Sequence, residues 1–248
     1  MLNGMLWIVR SGAPWRELPA AYSPWQSVYA RFSKWRDDGT LEAVFHALSG
    51  DADIENLSVD STCVKVHESA NGGEKTADKA VGRTRGGWNT KLHAVVDGLG
   101  NPVEFLLSAG NDYDSVHAVE LLEKVRIRGS AVLADRAYGA PAIREYISAH
   151  GASYVIPPQS NVSDPWPVGW HLYKERHLVE CFSRKSSGFA ESPPDMTSRM
   201  LPSWPLCILP PSLFCCFRTI STFFQTSPNY VFKKCAQIYK VLFSDMGD

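Results

Sequence analysis

The 248-residue chain has no excess of either charge: 25 Lys and Arg stand against 26 Asp and Glu, a formal net charge of -1. That balance excludes a general polycation, so any binding to nucleic acid would need local patches or a metal. No C-x-x-C pair occurs, and no Cys/His spacing fits a zinc site. The start MLNGMLWIVRSGAPW has no charged n-region and its apolar run ends at Arg10, so no secretory leader is expected. We expect a reducing, cytoplasmic compartment with free thiols. There is no internal repeat. An unbroken apolar run is also missing: LPSWPLCILPPSLFCCF carries four prolines in 17 residues, which would break a spanning helix. No membrane association is expected. At 44% hydrophobic and 21% charged residues, wholesale disorder is excluded too.

What the chain does have is spread unevenly. Four of its six cysteines (Cys207, Cys215, Cys216, Cys235) and seven of its sixteen prolines lie beyond Ser183. The composition therefore divides the chain into residues 1–50, 51–182 and 183–248. The stretch ESANGGEKTADKAVGRTRGG (68–87) reads as a mobile loop.

Residues 1–12 read as a helix, and GAPWRELP as a turn with a buried Trp15. In residues 24–36, Trp25, Val28, Phe32 and Trp35 form a helical stripe. A third helix over 40–49 is expected to be capped by Thr40. Arg31, Lys34 and Arg36 lie beside these aromatics. That pattern suits a DNA-binding, helix-turn-helix-like module, although composition alone favours an ordinary small bundle with a solvated basic face.

The middle segment changes period. Residues 57–66, 90–97 and 102–110 read as strands, 114–127 as a helix, and 130–135 as a short buried strand. A helix over 140–150, a strand at ASYVIPP and a helix over 171–182 follow. In the helix over 114–127, Val116, Val119, Leu122 and Val125 are expected to face the core. The order β-β-β-α-β-α-β-α predicts an α/β fold, a ribonuclease H-like mixed sheet with flanking helices, in which the first and fourth strands are neighbours.

Three carboxylates can meet in that fold. Asp60 lies in the first strand, Asp135 at the end of the fourth, and Glu180 on the last helix. Three acids drawn together repel each other, and a cation relieves them. Oxygen ligands with open positions favour Mg²⁺ or Mn²⁺, and a pair of ions suits in-line phosphoryl transfer. Any one of these acids alone is more often a cap or an ion-pair partner. Tyr173, Arg176 and Glu180 at i, i+3 and i+7 share a helix face. Arg176 there would hold a phosphate or orient the carboxylate.

Long blocks carry a further signal: LWIVRSGAPWRELP (6–19), VDSTCVKVH (59–67), GRTRGGWNTKLHAVVDGLGNPV (82–103), SAGNDYDS (108–115), VLADRAYG (132–139), VIPPQSN (155–161) and YKERHLVECF (173–182). In this order they resemble the DDE transposases of bacterial insertion sequences, in the compact group with an LWxxRSGxPWRxLP block. The resemblance runs almost continuously from residue 2 to residue 182. It implies an enzyme that cleaves double-stranded DNA at its element's terminal inverted repeats and joins the 3′-OH to target DNA. It also implies a homodimer on DNA, nucleoid-associated in the cytoplasm. By carry-over Asp60, Asp135 and Glu180 are the catalytic residues and the ligands of two Mg²⁺ (or Mn²⁺) ions. Tyr173 and Arg176 match the Tyr and Arg that surround the family's Glu, and are expected to contact DNA.

One departure stands out. The family has a Lys seven residues after the Glu, and this chain has Ser187. Residues 183–198 can be back-translated so that restoring one T yields FQKVKWFRRIATRYDK, which returns a lysine at the position of Ser187. We therefore expect a single-nucleotide deletion near codon 183 and a poorly ordered, out-of-frame tail over 183–248. The start also reads as short of the family's opening segment.

Residues 65–91 hold six basic residues (Lys65, Lys75, Lys79, Arg83, Arg85, Lys91) against three acids. Beside the acidic site they are expected to follow a DNA backbone, or else to form a solvated hairpin loop. Lys65, Arg83, Arg85 and Lys91 are the candidates for contact. His67 and His93 are expected near the metals or in structural roles. Two other readings compete: a catalytically inactive remnant that only binds DNA, and a host nuclease of the same fold. The N-terminal block argues against the second.

Overall fold

The computed structural model describes residues 1–11, 13–50, 52–65, 82–160 and 162–187. Residues 188–248 of the predicted tail, His67, Lys75 and Lys79 lie outside the described residues, while residues 183–187, expected to be poorly ordered, continue a helix (His177–Ser187). The chain divides into two compact units at Asp51/Ala52.

The described part of the first unit is helical: α1 (Leu2–Ser11), α2 (Trp25–Asp37) and α3 (Thr40–Ser49), with 3₁₀ turns at Trp15–Glu17 and Ala20–Tyr22. Met5, Ile8, Trp15, Leu18, Val28, Phe32 and Leu41 form its core. Val28 and Phe32 of the predicted stripe are buried, while Trp25 and Trp35 pack at its margin. Thr40 is not the cap of α3. It is the first helical residue, after Gly39 at φ 76°. Asp38 Oδ1 instead accepts from the Thr40 N–H at 3.0 Å and the Thr40 hydroxyl at 2.6 Å. Asp38 thereby satisfies the first backbone N–H of the helix and occupies the hydroxyl that would otherwise cap it.

The second unit is a mixed sheet of β1 (Asn56–Lys65), β2 (Gly82–Thr84), β3 (Gly87–Val96), β4 (Pro102–Ala109), β5 (Ala131–Leu133) and β6 (Ser153–Val155). β4, β3 and β1 run antiparallel, and β5 and β6 continue from β1 in parallel. β2 pairs with the opening residues of β3. The order β4-β3-β1-β5-β6, with the direction changing at β1, is that of the ribonuclease H-like fold. The first and fourth major strands are neighbours, as expected.

Helices α4 (Asp114–Glu123) and α5 (Pro141–Ala149) pack on one face of the sheet, where Leu57, Val59, Val95 and Leu106 meet Ala118, Leu121, Leu122, Ile143 and Ile147. On the other face lies α7 (His177–Ser187), with Val179 and Phe182 buried and Phe182 stacked on Phe105 at 5.7 Å. Alternation along β1 sends odd-numbered residues to α4 and even-numbered residues to α7.

Three elements differ from expectation. α4 ends at Glu123, and its core face is Ala118, Leu121 and Leu122, while Val116 is 66% exposed. Val125 and Ile127 are buried from the loop that follows. The expected helix over 171–182 is broken into α6 (Trp170–Tyr173), a 3₁₀ turn (Lys174–Arg176) and α7. β2 forms where a loop was expected. Gly82 allows it, because a Cβ there would lie 1.9 Å from Asn111 Oδ1.

Candidate active site

Parallel pairing of β1 with β5 ends at Ser58 opposite Leu133. Asp60 lies two residues beyond that pair on β1, and Asp135 two residues beyond the end of β5, so both come to the same end of the sheet. Both belong to the α7 side of the sheet by alternation. Asp60 is the innermost, with its side chain 20% exposed. Asp135 also caps the 3₁₀ turn Arg136–Tyr138, accepting from the Ala137 N–H at 2.8 Å.

Glu180 comes from the first turn of α7. Asn56 Nδ2 donates to Glu175 Oε2 at 2.8 Å, which ties the preceding 3₁₀ turn to the start of β1. That tie delivers Arg176 between the acids. Its guanidinium pairs with Glu180 and approaches Asp60 Oδ1 at 3.8 Å. Tyr173 lies against the same guanidinium, 5.7 Å from ring centre to Cζ. Tyr173 and Arg176, expected to touch DNA, are thus brought to the carboxylates, with Arg176 engaged by two of them. The helix break changes the spacing between them but keeps the Arg176–Glu180 pair at i, i+4.

Charge at this end is under-compensated. Burial pushes the Asp60 carboxyl up to about 6, and the charges of Asp135 and Glu180 add to it. The Ser61 N–H and Arg176 pull the other way without restoring the ordinary value. Such a group favours either a proton or a cation. The donors are all carboxylate oxygens, which suits a hard divalent ion. Among the described residues, however, no three His, Cys, Asp or Glu side chains are grouped closely enough to hold one ion. Asp60 and Asp135 fit such an ion by their chemistry, and Glu180 rests on Arg176 instead.

A family model, "Transposase DDE domain", matches residues 51–184, and "Putative transposase of IS4/5 family" matches residues 1–45. The chain belongs to the DDE transposase family. It is similar to a Brucella ovis protein named "Putative transposase for insertion sequence element IS6501", at 39% identity over 39% of this chain and 74% of the relative. It is also similar to the Sinorhizobium fredii protein y4sN, described as uncharacterized, at 34% identity over 30% of this chain and 59% of the relative. Among solved structures, a piggyBac transposase synaptic complex with hairpin DNA aligns over 90% of this chain and 57% of that chain. That alignment has 9% identity and a TM-score of 0.40. Membership makes this chain a transposase by class, an enzyme of polynucleotidyl transfer and endonucleolytic chemistry, and implies dependence on a divalent metal.

The remaining candidates of this transposase fall in different places. Arg31 and Lys34 are exposed on one side of α2, and Arg31 lies 6.0 Å over Trp35. Arg36 is half-buried and pairs with Asp37 at 2.6 Å, so it is less free than its neighbours. Arg83 and Arg85 are exposed on the β2–β3 hairpin, and Lys65 ends β1. Lys91 departs from expectation. Alternation turns it to the α4 face, where its side chain is 13% exposed and meets Asp114 Oδ1 at 2.9 Å. His93 is likewise on that face, fully buried, with Nε2 2.9 Å from Ser108 Oγ. Burial pushes it down to about 4, so it is a neutral packing group and no ligand of the acids across the sheet. Asp114 and Ser61 were not singled out from sequence, although both lie inside the matched blocks.

Proposed function

We propose that this transposase cleaves DNA at the ends of an insertion sequence and joins those ends to target DNA, with Asp60, Asp135 and Glu180 as its catalytic acids. The carrying observation is the parallel pairing of β1 and β5, which brings two carboxylates to one end of the sheet, one of them half-buried and raised to about 6. Two Mg²⁺ or Mn²⁺ ions held there would supply charge neutralisation and activation of the attacking oxygen. The chain's own residues do the rest. The α7 helix brings Glu180 to the acids, and Arg176 holds it in place until it is needed as a ligand. Asp135 is fixed by the Ala137 N–H, and Asp60 by its strand. Arg31 and Lys34 on α2, and Arg83 and Arg85 on the hairpin, take DNA phosphates and set the register of the duplex without reading bases. Paired element ends call for two copies of the chain on DNA, working at the nucleoid.

The test is divalent-ion-dependent nicking of a labelled duplex that carries the element's terminal repeat. We expect cleavage by the wild-type chain and none by Asp60→Asn, with similar DNA binding by both. A second reading, a remnant that binds without cutting, is favoured by the Glu180–Arg176 pair and by Ser187 at the family's lysine position. Repeat-specific binding by the wild-type chain with no cleavage in Mg²⁺ or Mn²⁺ would select it.

A further inference from the structure

The α4 face of the sheet carries a polar network directly behind the acids. Asp114, the first residue of α4, accepts from Ser61 Oγ at 2.6 Å and from Lys91 Nζ at 2.9 Å. Lys91 Nζ also donates to the Asp112 carbonyl at 2.6 Å. Three elements are thereby tied at one point: β1 through Ser61, β3 through Lys91, and the β4–α4 connection through Asp112 and Asp114. A cleft of about 420 Å³ opens beside the network, lined in part by Lys91, Asp114 and Ala137.

We propose that Lys91, Asp114 and Ser61 form a positioning unit that fixes the spacing of Asp60 and Asp135, and that Lys91 does not contact DNA. Two of the three ammonium donors of Lys91 are committed inside the protein. Ser61 follows Asp60 in an extended strand, so their side chains leave opposite faces of the same backbone. Holding Ser61 by Asp114 fixes the rotation of the strand about its axis, and with it the direction of Asp60. Asp135 is reached through Tyr138, three residues on. Its ring is 1% exposed and packs in the α4 core, with its phenol under the charges of Asp114, Asp60 and Asp135. One ion pair therefore borders both supports. Reacting groups tolerate little displacement: a shift of about 1 Å costs on the order of 100-fold in rate.

The proposal rests on the acids being the catalytic site, and its test separates the two ideas. Lys91→Met, Lys91→Arg, Asp114→Asn and the milder Ser61→Ala are made in the full chain. Amide hydrogen exchange is followed over residues 56–65 and 134–139, beside cleavage kinetics on a terminal-repeat duplex. We expect exchange in both segments to rise roughly tenfold in Lys91→Met and Asp114→Asn, less in Ser61→Ala, with Lys91→Arg close to wild type. kcat should fall roughly 10- to 100-fold with KM for DNA little changed. The double variant Lys91→Met/Asp114→Asn should be no worse than the poorer single one, because the pair acts as a unit. Unchanged exchange in both segments overturns the proposal, as does raised exchange with an unaltered kcat. It is also overturned if Lys91→Met raises KM and lowers the salt slope of binding by about one while Asp114→Asn is silent, since Lys91 would then be a phosphate contact. A wild-type chain that cleaves nothing counts against the proposed reaction, and the exchange measurements still decide the positioning.

Discussion

Asp60 and Asp114 flank one strand, on opposite faces of the same sheet. Burial pushes both carboxyls up. At Asp114 the hydrogen bonds from Lys91 and Ser61 reverse the shift and hold it below the ordinary carboxylate range. At Asp60 the facing cation, Arg176, stands 3.8 Å away and is shared with Glu180, so the carboxyl stays at about 6. The difference lies in how each carboxylate is compensated. One is compensated on the spot, and the other is left with charge for something else to neutralise.

The comparison can be broken most severely at Asp60. Asp60→Asn should reduce cleavage by on the order of 1,000-fold or more, the scale of several kcal/mol of lost charge stabilisation. The same change should stabilise the fold by about 1–3 kcal/mol at pH 8 in the absence of divalent ions, read from urea melts, because it removes an under-compensated buried charge. A loss of stability would mean that Arg176 already compensates Asp60. The supporting core gives the next largest effect. Leu121→Ala should cost about 2–5 kcal/mol, since Leu121 is fully buried beneath the network.

His93 tests the compensated face through pH. Its folded value of about 4 lies below the ordinary imidazole value, so the folded state resists protonation. Stability should therefore be full above about pH 6.5 and decline as pH falls toward 4, by at most about 3 kcal/mol for this group. Urea midpoints of wild type and His93→Gln over that range should converge at low pH, and a constant gap between them would refute the assignment. Lys91→Met follows at about 1–3 kcal/mol, because it leaves Asp114 half-buried without its cation. Adding Asp114→Asn should recover part of that loss. The smallest effect is at the cap of α3, where Asp38→Ala should cost about 1 kcal/mol by thermal melting.

Much of this arrangement was legible from residues alone. Two-residue alternation marked β1, β3 and β4, and the element order implied that β1 and β5 are neighbours. That adjacency alone brings Asp60 and Asp135 to one end of the sheet. Glu180 is suggested by its place on the last helix and by its block, since an isolated glutamate on an amphipathic helix looks like any solvated one. Other features depended on partners far along the chain. Val116 fits a helical stripe, but α4 sits rotated so that Ala118, Leu121 and Leu122 meet the sheet. Lys91 looks like part of a basic cluster in sequence, while its position on β3 turns it inward. The 3₁₀ turn before α7 has no local breaker and follows the hydrogen bond from Asn56 to Glu175.

By itself, then, the sequence determined the order of strands and helices and the family blocks, because hydrophobic period and motif spacing are local properties. Tertiary structure decided which acids carry compensating cations and which basic residues are drawn inward. Those outcomes turn on distances across the sheet: Lys91 reaches Asp114 and Arg176 is divided between Asp60 and Glu180 only after β1, β3, α4 and α7 have packed. Electrostatic compensation falls off over a few ångströms, and linear spacing does not encode it.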